Sequence, residues 1–173
     1  MALTRRQLEE IYRDLEVPLY NFALRWVFNS ALAEEVVHDA FIRIWTKRQD
    51  VDPESIKSLL YKTVQNLSFN ELRKRRIREV VGILDWFKSD TDENQNAERK
   101  LIEQEDLHTM QICLEKLPME LREVLLLSMF SDMTYAEISQ TLEIAEGTVA
   151  SRKNRALQLM RDYFKSTEGN QNG

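Results

Sequence analysis

Asp132 to Tyr163 reads DMTYAEISQTLEIAEGTVASRKNRALQLMRDY, two short amphipathic helical patterns on either side of a tight turn. Thr134 followed three residues later by Glu137 is a capping box, in which hydroxyl and carboxylate satisfy the free amides of a helix start. A helix therefore begins at Tyr135. Ala136, Ile138 and Leu142 give it an apolar face, Ile144 fills the turn, and Val149, Ala156 and Met160 recur at helical spacing in the second helix. These residues bury one another and leave Thr148, Ser151, Asn154 and Arg155 on the opposite face, near the second helix's N-terminus. A major-groove reader carries its base-contacting side chains there. The pattern is that of a helix-turn-helix; a plain helical hairpin with a solvated basic face shares it.

The rest of the chain is also helical in period. Four Gly and three Pro in 173 residues leave little room for the turns of a sheet protein, and 43% hydrophobic residues suffice for one core or two small ones. The expected fold class is all-α. Upstream, helical segments are expected over Gln7 to Leu15 and Leu19 to Phe28, separated at Pro18, and from about Ala33 to Arg48. Asp52 then caps a start with Pro53 at the first helical position, where its missing amide costs nothing. A long basic-ended helix runs from there to about Val80. After Gly82 the composition turns polar and acidic, which marks a mobile linker. The expected organisation is a first helical domain over 1–82, a linker over 83–98, a second domain with the helix-turn-helix over 99–166 and a disordered tail over 167–173.

A net charge of −5 conceals strong segregation. RKRRIR, from Arg73 to Arg78, holds five positive charges in six residues, and Arg152 to Arg161 adds four. Asp85 to Asp106 carries eight acids against three bases. Local field governs steering to nucleic acid, so two basic patches can bind it on a net acidic chain. No apolar run approaches a membrane span, and the start MALTRRQLEE has no apolar stretch of a signal peptide, so a cytoplasmic location without membrane insertion is expected. Cys113 falls in the apolar series Leu107, Met110, Leu114 and Leu117, as a buried structural thiol does. His38, His108 and Cys113 are too scattered for a metal motif. Neither a phosphate-binding Gly-rich loop nor a nucleophile elbow occurs, so no metal, cofactor or catalysis is expected.

Three segments in order carry a resemblance to a known family. AEEVVHDAFIRIW over 33–45, LLYKTVQNLSFNELRKRR over 59–76 and LPMELREVLLLSMFSDMTYAEISQTLEIAEGTVASRKNRA over 117–156 resemble the polymerase-binding helix, the minus-10 segment and the minus-35 domain of extracytoplasmic-function (ECF) sigma factors. The resemblance implies a transcription initiation factor with core RNA polymerase, promoter DNA and an anti-sigma factor as partners. Glu35, His38, Asp39 and Trp45 match the polymerase-binding surface, with Trp45 equally suited to the bundle core. Asn66 matches the minus-10 reader, whose amide presents a donor and an acceptor to an unstacked base. Lys62, Arg73, Lys74, Arg75 and Arg76 surround it and suit strand phosphates. Thr148, Ser151, Arg152, Lys153, Asn154 and Arg155 match the minus-35 reader.

The chain departs from the family pattern at Leu59, usually Trp, at Glu143, commonly the turn Gly, and at Ala150, often basic. A left-handed Glu143 would cost about 1 kcal/mol. A dimeric repressor would also account for a helix-turn-helix, but it leaves the first half unexplained.

Overall fold

The computed structural model describes residues 4–47, 51–80 and 108–171; every element assigned among them is helical. The expected linker over 83–98 lies outside the described residues. Helix α1 spans Arg5–Val27 and starts at a capping box, with the Thr4 amide donating to Gln7 Oε1 at 3.0 Å and the Gln7 amide donating to the Thr4 hydroxyl at 3.3 Å.

One correction falls here. Pro18 does not separate two segments but lies inside α1. A proline removes one backbone hydrogen bond and crowds the carbonyl four residues earlier, yet the apolar series Leu8, Ile11, Leu15, Leu19, Phe22, Trp26 continues across it in unbroken helical register. Leu19, Phe22, Ala23 and Trp26 are wholly buried, and their packing holds both halves on one axis.

Phe28 ends α1 in a left-handed conformation (φ 50°), with its amide on Leu24 O at 2.9 Å. Asn29 then caps α2, Ser30–Thr46, by accepting from the Leu32 amide at 2.8 Å, so this helix begins three residues before the expected Ala33. As expected, Asp52 caps a 3-10 turn at Pro53–Ser55, which leads into α3, Ile56–Val80. Helices α1, α2 and α3 pack around edge-on rings: Phe22 lies 5.1 Å from Tyr61 and 6.3 Å from Trp26 between centroids.

The second half comprises α4, described over 108–116, α5 (Met119–Phe130), α6 (Tyr135–Leu142) and α7 (Glu146–Gln171). Helix α7 continues through 167–171, where a disordered tail is expected from composition. Cys113 is wholly buried, as its apolar neighbours require. In α5, Val124, Leu125, Leu126 and Leu127 are consecutive and all buried. Four successive positions sweep the full circumference of a helix, so α5 must be covered on every side. Helix α7 covers one side, and α1 of the first half covers another.

Two side chains fasten this contact. Arg122, 5% exposed, donates through Nη2 to Arg25 O and Trp26 O, both at 3.1 Å, and its guanidinium lies 4.5 Å from the Trp26 ring centroid. Those carbonyls belong to the last turn of α1, where no intrahelical donor reaches them and a cation is favoured. Burial pulls the Arg122 pKa down to about 10, which still leaves it charged at neutral pH. At the other end of α5, the Tyr61 hydroxyl donates to Phe130 O at 3.0 Å. Burial pushes Tyr61 well above the usual phenol range, so it remains a neutral donor. Tyr61→Phe should orphan that carbonyl and lower stability by about 0.5–1.5 kcal/mol, read as a lower urea midpoint with an unchanged slope.

Candidate nucleic-acid and partner surfaces

Along α3 the positions Lys62, Asn66, Phe69, Arg73 and Arg76 follow one another at intervals of three or four and share a helical face. All five are exposed. Asn66 lines a cavity of about 420 Å³ whose walls include Val51, Leu59 and Thr63, with Arg43 and Lys47 of α2 at its edge. The Thr63 hydroxyl donates to Leu59 O at 2.7 Å. An apolar hollow with one amide at the wall and cations beside it suits a flat, polar-edged ring.

Three of these residues are missing from the sequence reading. Arg43 and Lys47 reach the cavity only because α2 packs on α3. Phe69 carried a readable signal, an aromatic of 44% exposure among cations at helical spacing, the combination by which single strands are stacked and held. Lys74 and Arg75 lie off this face, and Lys74 is paired with Glu71.

The helix-turn-helix forms as its sequence requires. The Thr134 amide and hydroxyl both donate to Glu137 Oε2, at 2.7 and 2.9 Å, and the Glu137 amide donates back to the hydroxyl at 3.2 Å. Glu143 takes the left-handed turn position (φ 58°), and Ile138, Val149 and Ala156 are wholly buried between the helices. Ala136, expected on the apolar face, is exposed. Thr141 is buried instead, its hydroxyl satisfied by Glu137 O at 2.7 Å.

On α7 the structure gathers Ser151, Asn154 and Arg155 on an exposed face, with Thr148 half-buried at its edge. Arg152 and Lys153 turn away from it. Arg152 Nη1 lies 3.9 Å from Glu123 Oε1, and Lys153 Nζ sits 5.2 Å from the Tyr135 ring centroid.

Glu35, His38 and Asp39 are exposed on α2. Glu35 and His38 line a groove of about 630 Å³ shared with Tyr12, Val17 and Tyr20 of α1, where Val17 is 65% exposed. Trp45 is half-buried and lines a neighbouring hollow with Leu8, Tyr12 and Phe41. Ten residues of helix, about 15 Å, separate it from Glu35, so the four expected residues do not form one patch. Tyr12 borders both hollows.

Among the described residues no helix is long and apolar enough to cross a membrane, and no three His, Cys, Asp or Glu side chains are placed to hold a metal.

Comparisons with known proteins agree with this architecture. Residues 11–77 match the Sigma-70 region 2 family and residues 109–160 the Sigma-70, region 4 family. The chain is 30% identical over 156 residues to the ECF RNA polymerase sigma factor SigL of Mycobacterium tuberculosis, covering 89% of this chain and 86% of SigL. It is 28% identical to SigE of Mycolicibacterium smegmatis, of whose length it spans 61%. It is 27% identical to SigW of Bacillus subtilis over 90% of this chain and 86% of SigW.

Among solved structures the fold is similar to CnrH in complex with the cytosolic domain of CnrY, with a TM-score of 0.70, 19% identity and coverage of 94% of this chain and 90% of that one. It is also similar to RpoE in complex with the anti-sigma factor NepR from Bartonella quintana, with a TM-score of 0.63, 23% identity and coverage of 91% and 98%. The helical fold with a helix-turn-helix is thus that of a sigma factor. The chain belongs to the ECF RNA polymerase sigma factors, transcription initiation factors that direct the polymerase to promoters.

The capping box yields a pH prediction. Hydrogen bonds from the Thr134 amide and hydroxyl hold the Glu137 carboxyl below its ordinary 4.5. A depressed carboxylate pKa stabilises the fold above the unfolded value, and this contribution is lost as pH falls through the folded one. Thr134→Ala should therefore cost about 1 kcal/mol at neutral pH, and the difference from wild type should shrink below pH 4.5 in thermal melts.

Proposed function

We propose that this chain binds core RNA polymerase through α2, reads minus-35 duplex DNA with α7, and captures the unpaired minus-10 strand with α3. The observation that carries the reading is Asn66 at the wall of an apolar hollow, beside the stripe Lys62, Phe69, Arg73 and Arg76. The hollow takes an unstacked base, the amide addresses its edge, Phe69 offers a stacking surface and the cations hold phosphates. Lys74 and Arg75 add to the field from the flank. On α7, Ser151, Asn154 and Arg155 address base edges and Thr148 the backbone.

Glu35, His38 and Asp39 present the acidic face to a basic polymerase helix, and Tyr12, Val17 and Tyr20 supply the apolar floor. The two sigma-factor structures named above are complexes with CnrY and with the anti-sigma factor NepR, which supports an anti-sigma factor as a third partner beside polymerase and promoter DNA. The protein works in the cytoplasm, without catalysis, cofactor or metal. Its units are a region-2-like domain over 1–82, a linker over 83–98 and a region-4-like domain over 99–166.

Transcription from a promoter with a pre-melted minus-10 bubble tests the strand-capture role. Asn66→Ala should remain defective on the bubble, because the base edge still lacks its partner; full rescue would reduce Asn66 to a melting or structural residue. Arg155→Ala should lose about 1–3 kcal/mol of minus-35 recognition if its guanidinium makes a bidentate base contact, measured by holoenzyme titration on duplex promoter. Asp39→Arg should weaken core binding about tenfold with unchanged folding, and unchanged core affinity would remove Asp39 from the polymerase surface.

A further inference from the structure

The DNA-facing cations are also engaged across the contact between the two halves. Lys62 Nζ pairs with Glu143 Oε1 at 3.1 Å. Gln65, beside Asn66, donates to Glu123 Oε2 at 2.8 Å, while the other oxygen of Glu123 faces Arg152 at 3.9 Å. Lys57 Nζ reaches Asp132 O at 3.3 Å. Carboxylates of the second half therefore stand against a cation on α3 and against one on the reader helix, where DNA phosphates would otherwise stand.

Geometry excludes this arrangement from promoter recognition. Minus-10 and minus-35 elements are about 25 base pairs apart, or about 85 Å at about 3.4 Å per pair. A compact chain of this length has a radius of gyration of about 16 Å. The halves must part before both elements can be read. The contact also suits parting: Arg25 Nε, Trp26 Nε1 and Arg122 Nε are buried there with no hydrogen-bond partner among the described residues, and each regains water on opening. The groove lined by Glu35 and His38 is built from α1 and α2 alone, so it remains open to a partner while the halves are closed.

Building on the function proposed above, we infer that the closed pairing is a self-inhibited resting state, in which Arg122 locks α5 onto the end of α1 and Glu143 and Glu123 occupy DNA-binding cations. Polymerase docks first on α1 and α2, and DNA binding follows separation.

Small-angle X-ray scattering of the free full chain, paired with titration of a duplex carrying the minus-35 element, tests this. Wild type should be compact and bind the duplex weakly. Arg122→Gln should expand the chain and tighten duplex binding at least tenfold. Glu143→Lys, at an exposed turn where it sets like charge against Lys62, should expand it as well, and it carries the test if Arg122→Gln fails to fold. The swapped pair Lys62→Glu with Glu143→Lys should restore the compact form, which a merely structural role for either residue would not produce. Expanded wild type, no expansion in the Glu143→Lys variant, or expansion without gain in duplex affinity would overturn the latch. Failure of the promoter-reading assignment would appear separately, as wild-type holoenzyme without promoter selectivity and with the scattering results intact.

Discussion

The arrangement of the whole molecule depends on a guanidinium buried between two helices that are far apart in sequence. Arg122 leaves water to meet two backbone carbonyls and an indole face. Each partner is a partial negative charge already present for another reason: the carbonyls because α1 ends there, the ring because Trp26 fills the first bundle. A buried cation is a poor source of net stability, since desolvation offsets most of what its partners return. Its planar fork, however, addresses two successive carbonyls in one orientation only. Arg122 thus contributes direction more than energy, and it sets how α5 lies on the first half.

Helix α5 makes that contact unavoidable. With four successive apolar side chains it has no face to give to solvent, so its neighbours must surround it, and the second half alone leaves part of its circumference to α1. The surface ion pairs then act on a position already chosen. Exposed pairs contribute about 0–1 kcal/mol each, too little to dock two domains but enough to decide which charges are available for DNA. The burden of holding the halves together rests on Arg122, on Tyr61 and on the apolar contact. The burden of silencing Lys62 and Arg152 rests on two carboxylates.

This division explains a charge pattern that composition alone makes puzzling. The acids of this chain face two ways: Glu35 and Asp39 outward, toward a polymerase surface, and Glu123 and Glu143 inward, toward the chain's own cations. The inward pair neutralises reader elements until they are needed. Glu143 shows the compromise most clearly, because it occupies a left-handed turn position that glycine would take without strain.

Local chemistry was sufficient for much of this. Capping boxes, helical periodicity and charge blocks act within a few residues of each other, so the helix-turn-helix, the start of α3 at Asp52 and Pro53, and the exposed face of Ser151, Asn154 and Arg155 were legible in the sequence. The continuous α1 was legible too, through the unbroken register across Pro18, but a local rule about proline outweighed it. What tertiary packing decided lies where residues distant in sequence meet. The roles of Arg122 and Tyr61, the hollow that joins Asn66 to Arg43 and Lys47, the separation of Trp45 from Glu35, and the turning of Arg152 toward Glu123 all depend on which helix covers which. Periodicity tells a helix which side to bury, but the partner that buries it, and the polar groups that partner brings, are settled only when the helices pack.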